Sequence, residues 1–387
     1  MSKKVLIMSA STGGGHNRAA HAIKDELEKK SIDGEYIDCE IVDSLKMINT
    51  ATDKIISSGY EKSAKYTPKA WGGMYKISDA NIMAKNEFKG NLFNTLMCSK
   101  LKKLLKDSKP DLIIGTHPFP MIALSTLKKK YPDNNIFSSF YIPPLISVLT
   151  DYTAHSTYIQ DEIDYYIAGD EYVREVLISE GIDDKKIKVY GIPVEKSFLE
   201  HRDKSVVLEE LGLIPDKFTV LVMGGSFGAG NIKDTLKELI SIDRDFQILV
   251  IAGRNESLKE KLEKSIDKHA FDKNISVLGF TKKMNDILSS VDIMISKPGG
   301  LTTTECLIKE LPMIIPYYIP GPEEENLDFL SNCGAAIRTS KKFTLSVLLK
   351  VLIDNPSRIE LIKNNIKAIK KQNTAEDIAN LVIDIIG

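Results

Sequence analysis

The sequence predicts two doubly wound α/β domains in tandem, and three observations carry that prediction. Short apolar runs alternate with amphipathic stretches along nearly the whole chain, the signature of strand-helix-strand units built on a buried parallel sheet. The pattern lapses in a charged stretch after Pro193 and then restarts. At 387 residues the chain also exceeds the size at which one hydrophobic core stops growing.

In the first half, KVLIMSA (4–10), DLIIGTH (111–117), ISVLTDY (146–152), YYIAGDE (165–171) and IKVYGIP (187–193) read as buried strands. Between them lie helical spacings such as Ala20, Ile23 and Leu27. In the second half the strands are FTVLVMGG (218–225), FQILVIAG (246–253), ISVLGF (275–280), DIMISKPGG (292–300) and PMIIPYY (312–318). This places a first domain at 1–195, a linker at 196–205 and a second domain at 206–373, with a last helix, 374–387, packing back on the first domain. Ligands of such sheets bind beyond the carboxyl ends of the strands, where the glycine turns of this chain all fall. An interdomain cleft is therefore expected.

With 43% hydrophobic and 27% charged residues, the composition is that of a globular protein and excludes disordered and collagen-like classes. The four cysteines are far apart and form no C-x-x-C pair, so reduced thiols and a cytoplasmic setting are expected. No apolar stretch has the length of a signal peptide or a transmembrane helix. Charge is uneven despite a net charge of -1: Lys54 to Lys109 holds twelve Lys against four Asp/Glu, interleaved with Tyr60, Tyr66, Trp71, Tyr75, Phe88 and Phe93. Such a mixture suits an anionic membrane surface or an RNA backbone, and equally a solvated helix face.

Three glycine turns carry the chemistry. SASTGGGHNRAA, Ser9 to Ala20, lacks the lysine of a P-loop and the spacing of a dinucleotide fingerprint. Its glycines still let a ligand approach the backbone, and His16 sits at a helix start, either as a base or as a locally satisfied side chain. MGGSFGAGN, Met223 to Asn231, combines small residues, free amides and a following helix, which suits a diphosphate; Arg254, after the next strand, can add charge. In SKPGGLTTTECLIKELP, Ser296 to Pro312, Thr302 and Glu305 have the spacing of a helix capping box, while Glu305 can instead accept hydrogen bonds from both hydroxyls of a ribose. Asp151 and His155 follow a strand of the first half, and the acids of PGPEEENLDF follow one of the second. The D-x-D of Asp243 to Asp245 lies at the wrong end of its strand for a metal site, and no metal is expected.

STGGGHNRAA (11–20), TDYTAH (150–155), YGIPV (190–194), MGGSFG (223–228), GFTKKM (279–284), SKPGGLTTTE (296–305) and PGPEEEN (320–326) together resemble the monogalactosyldiacylglycerol synthase and processive diacylglycerol glucosyltransferase family. The resemblance covers nearly the whole chain and implies the GT-B fold, with two Rossmann-like domains. It also implies inverting, metal-independent transfer of a hexose from UDP-glucose or UDP-galactose to the hydroxyl of diacylglycerol, with no cofactor. On that template His16 is the base, assisted by Asp151 and His155, and Gly14, Gly15, Trp71 and Tyr158 line the acceptor. Gly225, Ser226, Arg254, Lys297, Gly299, Gly300 and Thr302 surround the diphosphate, Phe280 and Met284 the uracil, Glu305 the ribose, and Glu323, Glu324 and Asn326 the hexose. Tyr158 and Pro322 stand where the family commonly has tryptophan and glutamine.

The partners so implied are the nucleotide sugar, diacylglycerol and an anionic membrane surface on the inner face of the cell membrane, with no nucleic acid. Two other readings are transfer of N-acetylglucosamine from its UDP conjugate to a polyprenyl-linked lipid, against which the TD-x-x-x-H motif argues, and a non-catalytic sensor of UDP-sugars.

Overall fold

A computed structural model describes residues 2–11, 14–48, 72–73, 75, 92–131, 141–224, 232–269 and 272–387. The chain forms two compact units, Met1–Glu195 with Lys371–Gly387, and Lys196–Lys370.

The first unit is a six-stranded parallel sheet in the order β4-β1-β5-β6-β7-β8. Its strands are β1 (Lys4–Ser9), β4 (Asp38–Asp43), β5 (Leu112–Gly115), β6 (Leu145–Val148), β7 (Tyr165–Ile167) and β8 (Ile187–Lys188), with β2 (Ser31–Ile32) and β3 (Glu35–Tyr36) forming a small antiparallel hairpin. Alternation along β1 divides the core between the two faces of the sheet. Val5 and Ile7 pack towards the helices Gly15–Leu27 and Thr374–Ile386, through Ala20, Ile23, Ile378 and Val382. Leu6 and Met8 pack towards Leu92–Ser108 and Pro118–Lys130, through Met97, Leu101 and Leu124.

The returning chain explains the turn in YGIPV. Gly191 has φ 105°, and a Cβ there would lie 2.6 Å from both Lys371 Cβ and Thr374 Oγ1. Only glycine lets the segment before the last helix pass so close, and Thr374 Oγ1 then donates to the Tyr190 carbonyl at 2.6 Å.

In the second unit the strands β9 (Thr219–Met223), β10 (Gln247–Ile251), β11 (Ile275–Leu278), β12 (Ile293–Ile295), β13 (Met313–Ile315) and β14 (Ala336–Arg338) run in parallel in the order β11-β10-β9-β12-β13-β14. The order reverses between β9 and β12, and in the first unit between β1 and β5. These are the switch points at which loops of a doubly wound sheet part to receive a ligand.

Two expectations change. The segment 196–205 is part of the second unit rather than a linker. Lys309, buried at the end of the helix Gly300–Ile308, donates to the Glu200 carbonyl, Arg202 pairs with Glu210 and Asp286, and Lys204 pairs with Asp292 at 2.6 Å. The strands β4 and β14 are additional to the apolar runs. β4 borders the sheet and alternates acids with apolar residues, and β14 is three residues long, so neither makes a continuous apolar run.

Candidate active site

At the switch point of the first unit the chain turns from β1 into the helix Gly15–Leu27 through Gly14, whose φ of 79° is left-handed. His16 therefore occupies the first turn. Its Nδ1 lies 2.7 Å from the Thr116 carbonyl oxygen, just past β5. A carbonyl only accepts, so Nδ1 carries the hydrogen and Nε2 the lone pair. Thr150 Oγ1 lies 3.0 Å from the same Nδ1, and Thr116 Oγ1 donates to the His16 carbonyl at 3.1 Å. Burial lowers the imidazole to about 4, against the opposing pull of the Thr116 hydrogen bond. The positive end of the helix acts in the same direction as burial. The result is a neutral imidazole at physiological pH, tied at one nitrogen and basic at the other.

The next residue after Thr116, His117, was not among the residues singled out from sequence. It caps the helix Pro118–Lys130, its Nδ1 accepting from the Phe119 N–H at 3.2 Å. Its ring meets that of His16 edge to face, with centroids 4.6 Å apart and planes at 74°. Burial and then the neighbouring His16 push its basicity well below the usual range. A local signal existed: a histidine at the end of an apolar run, followed by proline at the first helical position, is a capping pattern at the carboxyl end of a strand.

Asp151, His155 and Tyr158 follow β6, but they do not form one cluster around His16. Thr150 bridges His16 to the buried Tyr158, whose hydroxyl it hydrogen-bonds; burial first, and then the charge of Asp151, raises that phenol. Tyr158 thus stands behind the base rather than at an open acceptor surface. His155 caps the short turn Ser156–Tyr158, with Nδ1 2.8 Å from Thr157 Oγ1, Nε2 3.5 Å from the Tyr75 carbonyl and its ring 4.4 Å from that of Tyr75. Among the described residues no hydrogen bond joins it to His16. Among the described residues a Cβ on Gly15 would meet nothing within 4 Å, so packing against them does not account for a glycine there.

At the switch point of the second unit, Gly299 caps the helix Gly300–Ile308 without any side-chain hydrogen bond. The helix begins too early for Thr302 to cap it, which removes the capping-box reading of Thr302 and Glu305. Thr302 lies half-buried in the first turn, and Glu305 is buried one turn further on. Among the described residues a Cβ on Gly299, at φ -70°, would meet nothing within 4 Å. The first amides of this helix are thus a ready seat for an anion.

Lys297 forms an ion pair with Glu323, whose other oxygen accepts from the Ile319 N–H at 2.8 Å. Glu323 therefore holds the lysine and the loop, while the neighbouring Glu324 accepts from the Tyr318 hydroxyl at 3.4 Å. Asn326 is fully buried and donates to the Pro298 carbonyl at 3.0 Å, fixing the turn before Gly299. Arg254 and Phe280, expected at opposite parts of a nucleotide, come together, with the guanidinium 5.2 Å from the ring centroid. Phe280 is 55% exposed, a flat apolar face left to solvent, and Met284 is half-buried at the start of the next helix. Trp71, Gly225 and Ser226 lie outside the described residues. In the D-x-D segment Arg244 makes two hydrogen bonds to Asp354, at 2.7 and 2.8 Å, and Asp245 pairs with Lys217.

Two Rossmann-like units in tandem, each with polar groups gathered at its switch point, define the GT-B fold, and the family 28 domain in the second makes the protein a glycosyltransferase. Solved structures share the fold: MurG of Acinetobacter baumannii matches with a TM-score of 0.63 over 99% of both chains at 15% identity, and Anabaena HepE in complex with UDP-glucose with 0.56 over 98% of this chain and 99% of that one at 12%. Residues 16–194 match the monogalactosyldiacylglycerol (MGDG) synthase family and 219–382 the glycosyltransferase family 28 C-terminal domain. The processive diacylglycerol beta-glucosyltransferase of Bacillus licheniformis is 28% identical over 384 residues, 99% of this chain and 95% of that protein. The Bacillus subtilis protein of the same name is 26% identical over 377 residues, 97% and 94% of the two. The first half of the chain thus carries a monogalactosyldiacylglycerol synthase domain and the second a family 28 C-terminal domain, and nearly the whole chain is similar to processive diacylglycerol beta-glucosyltransferases.

Proposed function

We propose that this glycosyltransferase moves a hexose from a UDP-sugar to the hydroxyl of diacylglycerol, with glucose preferred over galactose because the relatives are named as glucosyltransferases. The observation that carries the reading is the state of His16: Nδ1–H is spent on a carbonyl, and the uncharged Nε2 is left to take a proton. In this reaction Nε2 accepts the hydroxyl proton while the acceptor oxygen attacks the anomeric carbon. The bond from that carbon to the phosphate oxygen breaks, UDP leaves with the electron pair, and the configuration inverts. Asp151 assists from the loop after β6, and Gly14 and Gly15 leave room for the acceptor.

UDP leaves as an anion. The amides at the start of Gly300–Ile308, with Arg254 and Lys297, would meet that charge, so the reading needs neither metal nor cofactor. Glu305 would take the ribose hydroxyls, Phe280 and Met284 the uracil, and Glu324 the sugar. A lipid acceptor requires docking on a bilayer. The exposed Lys100, Lys103, Lys106 and Lys109, along and after the helix Leu92–Ser108, suit the anionic inner face of the cell membrane. Among the described residues no helix is long and apolar enough to cross it.

Purified protein given UDP-glucose and vesicles of diacylglycerol with anionic phospholipid should form glucosyl-diacylglycerol and UDP at the same rate with and without a chelator. Absence of lipid product with UDP-glucose, UDP-galactose and UDP-N-acetylglucosamine alike, while UDP still binds, would sink the proposal in favour of a sensor.

A further inference from the structure

His117 has no place in the reaction as proposed, yet it touches the group that does. Three observations bear on what it does there. Its ring lies against that of His16, 4.6 Å away and near perpendicular, and its other neighbour is Phe119, whose ring centroid is also 4.6 Å away. His16 is thereby closed in on one side by an imidazole that is itself packed against a phenyl ring. Second, His117 cannot turn freely, because its Nδ1 accepts from the Phe119 N–H at 3.2 Å; that bond also requires Nδ1 to carry the lone pair and Nε2 the hydrogen. Third, both rings hang on the same two residues of the chain, for Thr116 takes the Nδ1–H of His16 on its carbonyl and His117 follows it directly. The end of β5 therefore sets the position of one imidazole through the backbone and of the other through the side chain.

We propose that His117 is a positioning residue for the transfer, its capped ring holding the His16 imidazole in the orientation that presents Nε2 to the acceptor hydroxyl. This rests on the reading of His16 as the base. The proton passes from the hydroxyl to His16 Nε2, and His117 neither gains nor loses one. A neutral His117 is required, since a second cation in ring contact would oppose the imidazolium that forms on His16. Burial supplies that neutrality. Other titratable groups on elements that end near this point are Asp43 at the end of β4, and Asp151, His155 and Tyr158 after β6. Asp43 accepts from Ser11, Tyr158 reaches His16 only through Thr150, and His155 is bonded to Thr157; among the described residues His117 is the titratable side chain in ring contact with His16.

A cap alone is the competing role, and one substitution separates the two. His117→Asn keeps a side-chain acceptor for the Phe119 N–H, as asparagine is among the best capping residues, but removes the ring. If the ring positions the base, this variant melts within a few degrees of the wild type, keeps its KM for UDP-glucose and loses 10-fold or more in kcat with diacylglycerol. The acid limb of its kcat/KM profile also moves up by a unit or more, towards the ordinary range of an exposed imidazole. Wild-type kcat and an unmoved acid limb in His117→Asn overturn the inference and leave His117 as a cap. His117→Phe gives a second reading that does not depend on the cap: a flat ring is restored, and an acid limb returning towards that of the wild type supports the packing role, whereas a limb as high as in the asparagine variant overturns it. His16→Ala, measured beside them, keeps the two failures apart. If it is inactive while His117→Asn is normal, only the positioning role falls; if it is fully active, the base assignment itself is gone.

Discussion

The two units apply one architectural device, a strand running through a glycine turn into a helix at a sheet switch point, to opposite electrostatic ends. At Gly14 the turn delivers a histidine into the first turn of a helix, where burial and the positive helix end act against a cation and keep the ring neutral. At Gly299 the turn delivers no basic side chain, and the lysine just before the helix is anchored by Glu323. A field that suppresses a proton on an imidazole in one unit attracts an anion in the other. What differs is only which group the sequence places at the helix start, and in the proposed reaction that choice would divide the labour between proton removal and leaving-group stabilisation.

The sharpest way to break this comparison is His16→Ala. The expected result is a loss of kcat of about 10²- to 10⁴-fold, the usual share of a general base, with the affinity for UDP in calorimetry unchanged. A parallel loss of UDP binding would show that the two ends are not separate. Next in size is Glu305→Gln, which should weaken UDP by roughly 10- to 100-fold, as for a hydrogen bond to a charged group, without lowering the melting temperature. A variant that unfolds while its residual folded fraction binds UDP normally would return Glu305 to a purely structural role.

A pH series probes the neutral histidine directly. Because the folded pKa of His16 lies at about 4, below the unfolded value of 6.5, the unfolded chain binds more protons between those limits. Stability from this group is complete above pH 6.5 and is lost as pH falls towards 4, by up to about 3 kcal/mol. His117 acts in the same direction. Comparing chemical denaturation midpoints of the wild type and His16→Gln from pH 7 to 4.5 should show the wild type losing more, and identical curves would contradict the buried neutral ring. The smallest effect is expected from Arg244→Ala, whose half-exposed ion pair with Asp354 is worth about 0–1 kcal/mol. No change in rate, with or without manganese, is expected for it or for Asp243→Asn; a lost metal-stimulated rate would reinstate the D-x-D segment as a site.

Much of this arrangement was legible because both levels of the pattern are local. The alternation of apolar runs and helices gives the sheets, and glycines after strands mark the switch points. What escaped depends on distant or competing contacts. The charge of 196–205 looked like solvated linker because its partners, Asp286, Asp292 and Lys309, lie roughly a hundred positions along the chain. The spacing of Thr302 and Glu305 matched a capping box, but the preceding Gly-Gly lets the helix begin earlier, and no spacing rule reports where a helix is allowed to start. His117 was missed for a related reason: the local pattern marks it only as a cap, and its contact with His16 exists only once the fold sets β5 beside β1. Tyr158 and Glu323 were found at the right loops but with side chains turned to the protein, which loop position alone does not determine.

The return of the last helix to the first unit has a consequence for how the protein is made. Ile378 and Val382 complete the core that Val5, Ile7 and Ile23 begin, so segments far apart in the sequence must meet before that face of the sheet is covered. The second unit is contiguous and has all its strands once residue 370 has been synthesised. During translation the first unit is thus finished after the second, and until the helix Thr374–Ile386 emerges it exposes an apolar groove that chaperones or aggregation compete to fill.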